Sequence, residues 1–345
     1  MFDVFETIAK LAAVHSPAGF ETPITEVLTE LATPYADEIR VDALGNLIVY
    51  RKADAVQDGD YAPKKVMLSA HMDSIGMIVT HIDENGFIRF SNIGGLSPAT
   101  ILNIPVKFAN GTRGVVAKDG KVEIKDLKIN DLYIDIGAGS KEEAQKYVSV
   151  ADVAVFASET YRVGQTRIVS PYMDDRIACV VLLKVLESIR DSKNDLYFVF
   201  SSQEEVGIRG AKTAAFSIEP DVGLAVDVTS TGDTPDMKVP MECSIGKGAA
   251  IKVMDASLIC SPKIVRTLES IAKEYEIKHQ FEVLQHGGTD AGAIQLARAG
   301  AHVGAVSIPT RYIHSPQEMC DEEDVKAACA LIGLFVANEL EPKTN

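Results

Sequence analysis

The sequence has no tryptophan and no CxxC pair, and its five cysteines are odd in number and widely spaced. Cys179, Cys243, Cys260, Cys320 and Cys329 therefore support neither a disulfide framework nor a cysteine-rich zinc site, and read as buried apolar groups. Basic residues are short: 34 Lys and Arg against 49 Asp and Glu give a net charge of −15. A field of that sign repels phosphate backbones and anionic headgroups, so nucleic acid and membrane surfaces are poor partners. No apolar run approaches the roughly 18 residues that a bilayer demands. The first residues carry Asp3 and Glu6 before any lysine, so no secretory signal is expected and the expected compartment is the cytoplasm.

What is present is ordinary globular material: 46% apolar and 24% charged residues in 345 positions, room for roughly two domains. Phe2 to Val14 and Thr22 to Leu31 have helical apolar spacing, and Glu38 to Val49 reads as two short strands. Val66–Ala70, Leu196–Ser201, Val222–Val226 and Val303–Ile308 are short apolar runs, as expected for buried strands. Asp175 to Leu186, Cys260 to Tyr275 and Asp321 to Leu340 read as helices, the last with four acidic residues at its start, matching the helix dipole. Between Gly76 and Arg162 the texture changes to short alternating segments separated by Asn85-Gly86, Asn110-Gly111 and Asp119-Gly120, the grammar of β-hairpins, broken by a helical stretch from Lys141 to Lys146. The expected architecture is one discontinuous α/β domain, 1–75 and 166–345, with a largely parallel sheet covered on both faces. A small β domain, 76–165, is inserted into it.

Ligands of open α/β sheets bind beyond the carboxyl ends of the strands. There the runs are followed by His71-Met72-Asp73, Gln203-Glu204-Glu205, Asp227 and Arg311-Tyr312-Ile313-His314, and Asp174-Asp175-Arg176 precedes a helix. Each alone reads as a capping or structural group. Together they form a set of imidazoles and carboxylates, donors suited to Zn, Co or Mn, and two such ions about 4 Å apart are a known hydrolytic arrangement. Residues i and i+2 of an extended segment share a side, so Asp73 can accept from the ring N–H of His71. Of the adjacent Glu204 and Glu205, one can bind metal while the other acts as general base. His15, His81, His279 and His302 read as structural or surface groups. His286 stands evenly between that reading and an approach to the site. Asp290 reads as a helix cap and Arg176 as a partner of nearby carboxylates.

These motifs, with Gly287-Gly288-Thr289-Asp290-Ala291-Gly292, His314-Ser315-Pro316 and Ile134-Asp135-Ile136-Gly137-Ala138, resemble the M42 family of metallo-aminopeptidases, which includes glutamyl and tetrahedral aminopeptidases. They occur in family order over nearly the whole chain. The resemblance implies a zinc-peptidase-like mixed sheet sandwiched by helices with an inserted β-barrel-like domain. It implies two divalent metal ions per subunit, Zn foremost, with His71 and Asp227 on one, Glu205 and His314 on the other, and Asp174 bridging through a segment whose bond to Asp175 is cis. It also implies Glu204 as general base, a metal-bridging water as nucleophile, Asp73 supporting His71, and release of N-terminal residues from peptides with a free amine. Assembly through the inserted domain into dimers and then a dodecamer follows likewise. One departure is Ser74, where relatives usually carry an acid, as in HxDEIG; strand alternation turns it away from His71. For a cation that selects acidic substrates the sequence offers only Lys247 or Arg311. Two other readings compete: a glycosidase, for which carboxylate pairs suffice but aromatic sugar platforms are wanting, and a non-catalytic scaffold, which would be expected to have lost ligands.

Overall fold

The computed structural model describes residues 3–54, 61–190, 192–235 and 240–340. Helices α1 (Val4–Ala12) and α2 (Thr22–Ala32) open the chain, followed by β1 (Glu38–Val41), β2 (Leu47–Arg51) and β3 (Lys65–His71). Phe2, placed in the first helix by its spacing, lies outside the described residues. Six strands come next: β4 (Gly76–Ile82), β5 (Ile88–Ile93), β6 (Pro105–Phe108), β7 (Arg113–Lys118), β8 (Leu132–Asp135) and β9 (Val153–Phe156), with the single helical turn α3 (Lys141–Ala144) before the last. The chain continues through β10 (Tyr161–Val163), β11 (Arg167–Ser170), α4 (Met173–Ser188), β12 (Asp195–Ser201), α5 (Arg209–Ile218), β13 (Val222–Thr229), β14 (Ala249–Met254), α6 (Pro262–Glu274), β15 (His279–Val283), α7 (Asp290–Gln295), β16 (His302–Arg311), β17 (Glu318–Asp321) and α8 (Glu322–Ala337).

The fold is α/β. Eleven strands form one mixed sheet, in the order β1-β2-β12-β3-β13-β16-β17-β11-β10, with β14 and β15 branching from β16. Its centre, β12-β3-β13-β16, is parallel, as is the side pair β14-β15, while both flanks of the main path are antiparallel. The expectation of a largely parallel sheet holds for that centre, where the apolar runs are densest, and for the β14-β15 pair, but not for the flanks. Those runs are continuous because both faces are covered. In β3, Val66, Leu68 and Ala70 face the cluster containing α4 and α8, while Met67 faces the cluster containing α5 and α7.

The hairpin-rich segment closes into a six-stranded barrel, β4-β5-β8-β7-β6-β9, with its own core around Phe90, Phe108, Val116, Ile134 and Phe156. Closure removes sheet edges. The barrel strands end at Phe156; β10 pairs with β11 and so belongs to the large sheet. Tyr172, just ahead of α4, packs in the barrel core, stacks on Phe156, and accepts the Phe156 N–H through its hydroxyl at 2.5 Å.

Candidate active site

The side chains that follow the strands meet at one end of the sheet. His71 ends β3, Asp227 lies in the last part of β13, Glu204 and Glu205 follow β12, His314 follows β16, and Asp174 opens α4. They line a cavity of about 560 Å³ together with Ile208, Val228, Leu284 and Ile313. His286 lines it too, which settles its position beside the site. Backbone strain concentrates here. Of the ten non-glycine residues with left-handed backbone among the described residues, five are Tyr172, Gln203, Ile208, Tyr312 and His314. Such conformations are held by their surroundings and gather at functional sites.

Asp174 is the hub. One of its oxygens lies 2.9 Å from His71 Nε2 and the other 3.2 Å from His314 Nε2. Glu205 Oε2 is 3.3 Å from the same His314 nitrogen. Two groups of potential donor atoms result, His71–Asp174–Asp227 and Asp174–Glu205–His314, sharing Asp174. The Asp174–Asp175 peptide bond is cis, as the resemblance implies.

The electrostatics are those of too many carboxylates for too few cations. Burial, reinforced by Asp174, pushes Asp227 up to about 7. Burial also raises Glu205 and holds Glu204 well above the usual carboxylate range, in both cases against the pull of a histidine. Asp174 goes the other way: burial is outweighed by hydrogen bonds from His314 and His71, and its pKa is lowered. Burial disfavours both imidazolium ions, yet Asp174 and the neighbouring carboxylates prevail, so His71 is raised and His314 reaches about 11. Glu205 Oε1 is buried without a hydrogen-bond partner. Buried carboxylates in excess, with an orphaned oxygen and no thiolate, are a donor set fitted to divalent cations.

Asp73 is fully buried, but its carboxylate is 3.6 Å from His71 Nδ1; nearer, at 3.3 Å, is its own carbonyl oxygen. The carboxylate instead accepts the backbone N–H groups of Glu204 and Glu205 at 3.0 and 3.2 Å. Two expectations are corrected. Asp290 does not cap α7, where Thr289 holds the N-cap position; its Oδ2 accepts the hydroxyls of Ser69 and Ser201, each at 2.6 Å. Arg176 hydrogen-bonds no carboxylate. It donates to the carbonyls of Leu11, Val14 and Ser16, satisfying the chain that leaves α1. The position where relatives carry an acid, Ser74, is fully buried and donates to the same Ser16 carbonyl. Arg311 is gripped by both oxygens of Asp233, and neither it nor Lys247 lines the cavity. His15 bonds the Val153 carbonyl, His279 that of Ile277, and His81 and His302 are exposed.

Sequence reasoning missed two carboxylates. Asp175 Oδ2 faces the His71 N–H at 3.2 Å, and Glu318 takes the N–H groups of Asp174 and His314. It also missed the barrel's contribution. Gly94 and Gly95, just past β5, press on the site: a Cβ at Gly95 would lie 2.6 Å from His314 Nδ1, and one at Gly94 3.0 Å from Glu205 Oε2.

Along nearly its whole length the chain is similar to peptidases, and in class it is an aminopeptidase. It is 39% identical to aminopeptidase APDkam598 from the archaeon Desulfurococcus kamchatkensis, covering 97% of this chain and 94% of that one with a TM-score of 0.92. The lysyl aminopeptidase of Pyrococcus furiosus is 34% identical over 98% of each chain. The TET1 peptidase of Pyrococcus horikoshii, whose structure shows assembly into a tetrahedron or a large octahedral shell, is 30% identical over 98% of this chain and 100% of that one, with a TM-score of 0.86. The M42 glutamyl aminopeptidase description matches residues 45–331, and the chain belongs to the M42 peptidase family.

Proposed function

We propose that the chain is a dinuclear metal aminopeptidase that releases N-terminal residues from peptides. The observation that carries this reading is the division of Asp174, one oxygen toward His71 and the other toward His314. His71 and Asp227 would hold one ion and Glu205 and His314 the other, with Asp174 available to both groups. Zinc suits imidazole and carboxylate donors best, with cobalt and manganese as alternatives. Bound there, divalent ions polarise the scissile carbonyl and make water acidic enough to attack.

The chain's own residues do the rest. Glu204 stands outside both donor groups, with a carboxylate oxygen 3.8 Å from His71 Nε2. Its raised pKa suits a group that takes a proton from the attacking water and returns it to the leaving amine. Asp73 aims that base by holding the backbone of both glutamates, and its carbonyl fixes the His71 tautomer. Ile208, Val228, Leu284 and Ile313 keep water away and pack on the substrate.

The barrel segment, from Gly76 to Phe156, is an inserted domain that joins subunits into dimers and a dodecamer, and the large-sheet part of the chain, with β10 in it, is the catalytic domain. The assembly of the TET1 relative supports this reading. No helix among the described residues is long and apolar enough to cross a membrane, and the acidic charge disfavours nucleic acid; a cytoplasmic setting fits both.

Release of N-terminal residues from a panel of aminoacyl-anilides, with and without a chelator, tests the reading. Activity abolished by chelation and restored by zinc, cobalt or manganese is expected. Chelator-resistant cleavage of glycans would favour the glycosidase alternative, and inertness of the metal-loaded protein toward every unblocked peptide would favour a scaffold.

A further inference from the structure

β17 runs between β11 and β16, antiparallel to both. Its first residue, Glu318, sits opposite Ser170, the last residue of β11. From Ser170 the chain leaves the sheet toward Asp174, and from Arg311 it leaves β16 toward His314. Glu318 thus occupies the point from which both segments depart. Its side chain is buried and its oxygens are divided: one accepts the Asp174 N–H at 2.9 Å, the other the His314 N–H at 2.7 Å. Both segments contain non-glycine residues in the left-handed region, Tyr172 on one and Tyr312 and His314 on the other. Backbone of that kind relaxes unless it is held.

We propose that Glu318 is a positioning residue, a carboxylate clamp that sets the spacing of the Asp174–Glu205–His314 group by gripping the backbone on both sides of it. The inference rests on the dinuclear reading above. Asp174 belongs to the other group as well, but there His71 and Asp227 are fixed by the neighbouring strands β3 and β13, and the His71 N–H is held by Asp175. Loss of Glu318 therefore loosens the His314 place first. Glutamine keeps the shape but turns an amide N–H toward one of the two backbone donors. Aspartate keeps both acceptor oxygens but is one methylene too short to span both N–H groups.

The test compares metal-free wild type, Glu318→Gln and Glu318→Asp, titrated with Co²⁺ against a competing chelator, with the visible Co²⁺ absorption as a second readout. Asp324→Asn is the control, because Asp324 clamps the Gly246 and Gly248 N–H groups in the same way but grips the backbone of neither Asp174 nor His314. Wild type is expected to bind two ions. Both Glu318 variants should keep the first and bind the second about 10- to 100-fold more weakly, with an altered spectrum. Excess Co²⁺ should restore part of their activity, while the Asp324→Asn control keeps wild-type affinity for both ions. Should one Glu318 variant fail to fold, the other decides. Wild-type affinity and spectrum in a folded Glu318 variant, or equal weakening in Asp324→Asn, would overturn the proposal. A wild type that binds no second ion would overturn the dinuclear reading itself, and the wild-type titration alone reports it.

Discussion

Replacing Glu204 by glutamine removes one proton acceptor and little else, since its backbone stays tied to Asp73. The expected result is a fall in kcat of about 10²- to 10⁴-fold, with metal content unchanged, read by steady-state kinetics and metal analysis. The histidines give a pH dependence. His314 is raised to about 11 and His71 is raised too, so in metal-free protein both imidazoles are protonated at pH 7. Because the folded values exceed the unfolded value near 6.5, this stabilisation is full below pH 6.5, and the His314 part is lost as pH climbs through about 11. A cation needs neutral imidazole, so loading releases protons and apparent Zn²⁺ affinity should fall between pH 8 and 6. Chelator competition at each pH checks it; affinity independent of pH would contradict it. The residues behind these predictions were legible in the sequence, because His71, Glu204, Asp227 and His314 each follow an apolar run. Glu318 and Asp175 were not, because their partners are backbone N–H groups, which leave no mark on residue type.

Arg176 ties an element to its neighbour. It is fully buried, donates to the Leu11 carbonyl in the last turn of α1 and to the Val14 and Ser16 carbonyls just beyond it, and lies over the Tyr172 ring. Arg176→Met strands those carbonyls, and a loss of roughly 3 kcal/mol or more in urea unfolding is expected. The sequence suggested carboxylate partners because charge pairs with charge; the neutral Ser74 beside the shared Ser16 carbonyl, and the orphan carbonyls past α1, explain the outcome. Gly95 makes the companion prediction. Gly95→Ala puts a methyl group where His314 stands, so activity should fall by about 10- to 100-fold while the melting temperature scarcely moves. Apolar periodicity marked the strands and hairpins well, but contacts between a turn after β5 and a loop after β16 join residues more than two hundred positions apart. No local pattern reports them.

At the scale of the molecule, the barrel carries Val115, Ile124, Tyr147 and Val150 exposed. Apolar groups of that size in solvent suit contact with other subunits. Light scattering on purified protein should give a multiple of the subunit mass, twelve subunits in the fullest assembly, and a monomer would contradict the proposed role of the inserted segment. Charge and composition limited the partner classes, whereas sheet closure and the antiparallel flanks depended on register, which composition does not encode.

The inserted segment meets the cavity through Gly94 and Gly95 against Glu205 and His314, and it holds Tyr172, two residues ahead of Asp174, through the Phe156 N–H. It is thus a wall of the chamber as well as a neighbour of it. Transplanting a foreign insert onto this scaffold would require those two contacts to travel with it.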